Sequence, residues 1–198
     1  MGNLFESVNQ TLQRFAVDPK WRINGQLGFI AELHTWSQTL IDHFHLHCLI
    51  PPGALSADKT RWVPARKNYL FRVASLARQF RKSYLDHLQL LYDTDQLRFC
   101  GQISPQDFSG LMKSVRKKNW IVYAKAPFGG PQSVLDYLGR YTHRVAISNH
   151  RLVSIDKGQI RFTYKDRSAN NRTDPYHNRD RQRVSPAVFA ACAAPALC

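Results

Sequence analysis

Apolar positions along the 198-residue chain recur with two different periods, and each change of period marks an element. Leu4, Val8, Leu12 and Phe15 fall at helical spacing and predict an amphipathic helix at the start. Gln26 to Trp36 (QLGFIAELHTW) and His43 to Ile50 (HFHLHCLI) predict two strands, the second stopped sharply by Pro51-Pro52-Gly53. Trp62 and Val63 open a further short strand after a turn-rich stretch. Helical spacing then returns, with Leu76, Phe80, Tyr84 and Leu88 on one face of a long helix over Val73 to Tyr92. A second helix is expected over Pro105 to Lys117. Trp120 to Ala124 (WIVYA) reads as a buried strand from its β-branched and aromatic content. Pro127 to Pro131 (PFGGP) forms a loop, and Gln132 to His143 returns to helix. Leu152 to Ile155 and Gln159 to Tyr164 flank Asp156-Lys157-Gly158 as a hairpin. Strands and helices mix without strict alternation and without an internal repeat. The expected fold class is therefore α+β, an antiparallel sheet flanked by helices.

Composition narrows the classes that remain. At 43% apolar and 12% aromatic residues, the chain can bury a core and is not a disordered polymer. Its 28 Lys and Arg stand against 14 Asp and Glu, for a formal charge of +14. A surface this basic attracts polyanions, with nucleic acid the first candidate and an anionic membrane surface the second. Cys48, Cys100, Cys192 and Cys198 contain no C-x-x-C pair, which argues against a zinc ribbon and a disulfide framework. Reduced thiols of a cytoplasmic protein are the simplest account. Met1 to Arg14 carries no apolar run of the signal-peptide kind, and the longest apolar stretch is too short and Ala/Pro-rich to span a bilayer. The expectation is a bacterial cytoplasmic protein, nucleoid-associated through DNA, with no membrane partner.

Two patterns carry chemistry. In His43-Phe44-His45-Leu46-His47-Cys48-Leu49-Ile50 the period is two, so a strand turns the three histidines to one face and the apolar residues to the other. Imidazoles adjacent on one strand face can hold a divalent metal together. Tyr137 and Tyr141, in Y-L-G-R-Y-T-H-R, are four apart and share a helix face. A phenol can attack a phosphodiester and remain as a covalent phosphotyrosine, but its ordinary pKa near 10 makes it poor unaided. A metal polarising the phosphate helps, and Arg140, His143 and Arg144 add donors for phosphate oxygens.

Three longer stretches resemble a known family. They are Leu33-His34-Thr35-Trp36-Ser37-Gln38 followed by His45-Leu46-His47, then Tyr123 to Pro131 (YAKAPFGGP), then Tyr137 to Asn149 (YLGRYTHRVAISN). Together they resemble the two-tyrosine HUH transposases of rolling-circle insertion sequences, over about Leu4 to Asp166. The resemblance implies that His45 and His47 are a metal pair for Mg²⁺ or Mn²⁺. It leaves Gln38 and His34 as candidates for a third ligand. It also implies that Tyr137 and Tyr141 are nucleophiles that cut, hold and rejoin single-stranded DNA at element ends and target, with Lys125, Arg140, His143 and Arg144 on the DNA.

The chain departs from the family pattern at Phe44, where a proline is expected, and at the N-terminus, where a cysteine-rich segment and a sheet-edge strand are missing. It departs again after Asp166. Read from the second base of each codon, Val184 to Pro195 permits F-x-R-R-F-L-L-H-V-L-P, a string associated with the family further downstream. The expectation is a truncated HUH catalytic domain over residues 1–165 and a frameshifted, disordered tail over 166–198. Two rival readings remain. The alternating histidines also fit a histidine-triad nucleotide hydrolase, which needs neither metal nor tyrosine. Basic residues Arg61, Arg66, Lys67, Arg78, Arg81 and Lys82, interleaved with Trp62, Tyr69 and Phe71, also fit a non-catalytic single-strand-binding remnant.

Overall fold

The structure, a computed structural model, describes the backbone of residues 2–37, 39, 42–65, 70–99, 104–125, 129–142, 149–156, 159–166 and 172–178. It describes their side chains too, except at 42, 140–142, 149, 155–156, 159–160, 166 and 172–178. The chain divides into two compact units, residues 1–31 with 48–127, and residues 32–47 with 128–198.

In the first unit, helix α1 (Gly2–Val17) forms where the leading apolar spacing predicts it and ends at Asp18-Pro19. Asp18 caps a short 3₁₀ turn over Pro19–Trp21 by accepting from the Lys20 amide at 2.9 Å. The predicted strand from Gln26 breaks into β1 (Gly25–Gln26) and β2 (Ile30–Trp36), with Leu27 buried between them. Gln13 explains the break, since its side chain both accepts from the Leu27 amide (3.2 Å) and donates to the Leu27 carbonyl (2.7 Å). It thereby satisfies backbone groups that a ladder would otherwise use. Strands β4 (Gly53–Ser56) and β5 (Trp62–Pro64) complete a three-stranded sheet of order β1-β4-β5, with β4 antiparallel to both neighbours.

One face of this sheet and α1 enclose a core of Leu12, Phe15, Ala16, Ile23, Leu27, Ala54 and Phe71. Phe15 stacks on Trp21 at 5.4 Å and meets Phe71 edge-on at 5.2 Å. Truncating a ring in such a cluster costs about 3–5 kcal/mol, which shows how much of this unit rests on it. Helix α2 (Val73–Asp93) packs along α1. There Ser7, fully buried, lies 3.2 Å from His87 Nδ1, and Gln10 Nε2 lies 2.9 Å from His87 Nε2. A 3₁₀ turn (Pro105–Asp107), capped by Ser104, leads into α3 (Phe108–Lys117). Leu85, Phe108 and Met112 form a second core there, with Trp120 packed against it.

The expectation of a buried strand over Trp120–Ala124 is not met. Trp120 packs on Phe80 (5.3 Å) and Tyr84 (5.4 Å), but Ile121 is 93% and Tyr123 79% exposed. Side chains still alternate between exposed and half-buried, as the composition requires. A strand, however, is defined by a partner ladder, and among the described residues this segment has none.

In the second unit, β2 pairs with β3 (Asp42–Leu49) in a two-stranded sheet. Helix α4 (Pro131–Thr142) follows, then a 3₁₀ turn (Asn149–Arg151). A three-stranded meander then runs through β6 (Leu152–Asp156), β7 (Gln159–Asp166) and β8 (Arg172–Asn178). The strands expected to flank Asp156-Lys157-Gly158 pair antiparallel with Asp156 opposite Gln159, while Lys157 and Gly158 lie outside the described residues. Phe162 on β7 is fully buried, with the Arg151 guanidinium 5.7 Å from its ring centre. Strand β8 pairs along β7 from Asn178 opposite Ile160 to Arg172 opposite Asp166. Residues 172–178 thus carry regular structure inside the stretch expected to be disordered, while 179–198 lie outside the described residues. The molecule is α+β, and among the described residues its strands sort into three small sheets rather than one.

Candidate metal centre

On β3, period two places His43, His45 and His47 on one face, and on β2 it places Glu32, His34 and Trp36 on one face. Pairing of the two strands brings the rings together. His34 and His47 are 4.4 Å apart between ring centres, His45 and His47 4.9 Å, His34 and His45 5.3 Å. Each of these three offers one nitrogen, and the three nitrogens lie within 4.8 Å of one another. Imidazoles bind a cation at about 2.0–2.2 Å, so nitrogens sharing one sit roughly 3–3.6 Å apart. Small side-chain rotations close that gap, and the donor set fits a divalent transition-type ion.

Neighbouring groups set the tautomers. His45 Nδ1 lies 2.8 Å from the His43 carbonyl oxygen, so it donates there and leaves Nε2 as the ligating atom. His43 itself is exposed and serves through its backbone. His34 is only 3% exposed; its Nε2 lies 3.7 Å from Glu32 Oε1, and Trp36 stacks on its ring at 5.8 Å and 6°. That separation is an ion-pair distance rather than a hydrogen bond, so the carboxylate acts on the ring through its charge. On α4, the Tyr137 hydroxyl reaches to 3.4 Å from His47 Nδ1. Cys48 faces the other side of β3 from the histidines, where burial pushes its thiol up to about 11.

The opposite face of β3 departs from its expected role at one end. Phe44 is 57% exposed, whereas Leu46 and Cys48 are half-buried and Ile50 packs against the first core. The apolar side of the strand is covered only toward its C-terminal end.

A family model described as "Putative transposase" matches residues 28–183. The chain belongs to this two-tyrosine transposase family. The matched span contains His34, His45, His47, Tyr137 and Tyr141, and runs past Asp166, where the resemblance was expected to stop. The chain is 42% identical over 187 residues to "Putative transposase y4qJ" of Sinorhizobium fredii, covering 92% of this chain and 44% of that protein. It is 27% identical over 156 residues to "Transposase for insertion sequence element IS801" of Pseudomonas savastanoi pv. phaseolicola, covering 76% of this chain and 36% of that one. The chain therefore spans less than half the length of these curated relatives. No solved structure matches it. Among the described residues no helix is long and apolar enough to cross a membrane.

Of the family residues expected from sequence, the structure groups His34, His45, His47 and Tyr137. Gln38, His143 and Arg144 lie outside the described residues. Tyr141 and Arg140 lie on α4, their side chains outside the described set. Lys125 is exposed in the irregular segment after α3 and belongs to the other unit. Glu32 and Trp36 were not singled out from sequence. The available signal was their spacing of two on either side of His34, which on a strand puts them on its face.

Proposed function

We propose that the chain is the nuclease portion of a DNA transposase that cuts and rejoins single strands through 5′-phosphotyrosine intermediates, as in rolling-circle transposition. The observation that carries this reading is the approach of the Tyr137 hydroxyl to His47, 3.4 Å away, beside three imidazoles able to share an ion. His34, His45 and His47 would hold a divalent cation, Mg²⁺ or Mn²⁺; three nitrogen donors favour Mn²⁺ of the two. When bound, it polarises a phosphate oxygen and stabilises transition-state charge.

The chain's own residues then do the following. With His47 holding an ion through Nε2, its Nδ1–H would donate to the Tyr137 phenolic oxygen 3.4 Å away and so orient the phenol. The phenolic oxygen bonds to phosphorus as its proton passes to solvent water, and the bond from phosphorus to the 3′ oxygen breaks. That oxygen takes up a proton, and the 5′ phosphate stays on the tyrosine. Tyr141, one helical turn along α4, supplies a second nucleophile for a second strand. Lys125, Arg140, His143 and Arg144 would neutralise phosphates along the path.

The test uses 5′- and 3′-labelled single-stranded oligonucleotides bearing the element's end, with Mn²⁺ or Mg²⁺, run on a denaturing gel. A covalent adduct is expected that needs the cation and disappears with EDTA or in the Tyr137→Phe, Tyr141→Phe double variant. An adduct that survives the double variant would end the tyrosine reading. Retention of DNA on native gels with no adduct would assign this chain a binding role alone.

A further inference from the structure

Among the basic and aromatic residues of 61–82, the structure separates those built into the fold from those left available. Phe71 is 4% exposed and locked against Phe15 and Trp21. Arg81 donates to the Lys118 carbonyl at 2.9 Å, and Lys82 pairs with Asp86. Trp62 stands apart. The other three tryptophans each pack on a ring, Trp21 on Phe15, Trp36 on His34 and Trp120 on Phe80. Trp62 is 50% exposed, and among the described residues no aromatic ring stacks on it.

It is nevertheless held. On β5 it sits opposite Leu55 of β4, on the sheet face away from Ala54 and the core. A Cβ at position 53 would lie 2.7 Å from Trp62 Cε2 and Cζ2, so the indole rests against the bare backbone of Gly53. The adjoining tip is rigid. Ser56 N donates to the Arg61 carbonyl (2.9 Å), Lys59 N to the Ser56 carbonyl (2.8 Å), and Arg61 N to Ser56 Oγ (3.1 Å). Lys59 closes the turn at φ 59°. Asp58, the one acid there, spends its carboxylate on Ser56 Oγ and the Thr60 amide. Lys59, Thr60 and Arg61 are exposed beside the indole. An aromatic plate on an open sheet face with cations next to it is the arrangement that takes a splayed nucleobase and its phosphates.

We propose that the β4–β5 hairpin is a single-stranded DNA contact in which the Trp62 indole stacks on an unpaired base while Lys59 and Arg61 meet the flanking phosphates. This rests on the reading of the chain as an enzyme of single-stranded DNA, and adds a contact for the strand in the unit that does not hold the histidine cluster. Duplex DNA, whose bases are already stacked, gains nothing from the indole.

The experiment is fluorescence anisotropy of the full chain with labelled 20-nucleotide oligo(dT) and with a 20-base-pair duplex, across a salt series. Trp62→Ala is expected to weaken oligo(dT) binding about tenfold and leave duplex binding unchanged. Trp62→Phe keeps most of the affinity. Lys59→Ala with Arg61→Ala, both on the surface and able to serve if Trp62→Ala fails to fold, reduces the steepness of the log–log salt dependence by roughly 1.4, the share of two phosphates. If Trp62→Ala binds oligo(dT) like the wild type, or the double variant leaves the salt slope unaltered, the hairpin site is wrong while the single-strand reading stands. If the wild type does not bind oligo(dT) at any salt, that reading falls and the hairpin site with it.

Discussion

His34 would be an ordinary strand histidine without its surroundings; what distinguishes it is the pair of groups two residues to either side. Glu32 approaches its Nε2 at 3.7 Å and Trp36 covers one face of its ring, so both restrict how the ring turns. Carboxylates behind a ligating histidine typically change metal affinity about 10- to 100-fold. Glu32→Gln is therefore expected to lower Mn²⁺ affinity about tenfold, measured by isothermal titration, with the far-ultraviolet spectrum unchanged. Equal affinity in the variant would mean that Glu32 does not position the ring. The three histidines of β3 were legible as a one-faced set because period two is a property of any strand. Their completion by His34 was legible only as one of two candidates, beside Gln38, because it depends on which residue of β2 lies beside them.

At the scale of elements, the β4–β5 hairpin owes its shape to its tip. Asp58 accepts from Ser56 and Thr60, and these hydrogen bonds hold its carboxyl at about 2, below its ordinary 3.8. The folded tip favours the charged form, so its contribution is fully present above pH 3.8 and is lost as pH falls through about 2. A two-dimensional NMR titration should show the Lys59 and Thr60 amides moving with a midpoint near 2. Movement with a midpoint near 3.8 would mean that the tip is not hydrogen-bonded in solution. Helices were the easiest elements to anticipate, as α1, α2 and α4 each follow from apolar spacing within one stretch of chain. The WIVYA segment shows the opposite case. Its composition suits a strand, but composition cannot supply the neighbour that makes one.

For the whole molecule, the excess of 28 basic over 14 acidic residues is the feature that acts at a distance. It predicts association with single-stranded DNA that is strongly salt-dependent. With five phosphates neutralised, affinity should fall roughly 100-fold between 50 and 200 mM salt. A flat salt profile in the same anisotropy assay would show that the charge is not engaged by DNA. The frame break expected between Asp166 and Val184 belongs to this scale too. The family match ends at residue 183, beside it, and sequencing of the coding DNA in the next frame decides whether F-x-R-R-F-L-L-H-V-L-P is encoded there.

The sequence by itself determined the α+β class, the helices, the meander hairpin, the basic character and the residue types of the site, because each follows from local periodicity or from summed charge. Tertiary structure alone decided that β2 delivers His34 to the β3 histidines and that α4 brings Tyr137 to His47. It also decided that Trp62, of four tryptophans, remains half exposed. The histidine and tyrosine contacts join residues 11 to 90 positions apart, and no local spacing encodes which distant side chain fills the remaining space around another.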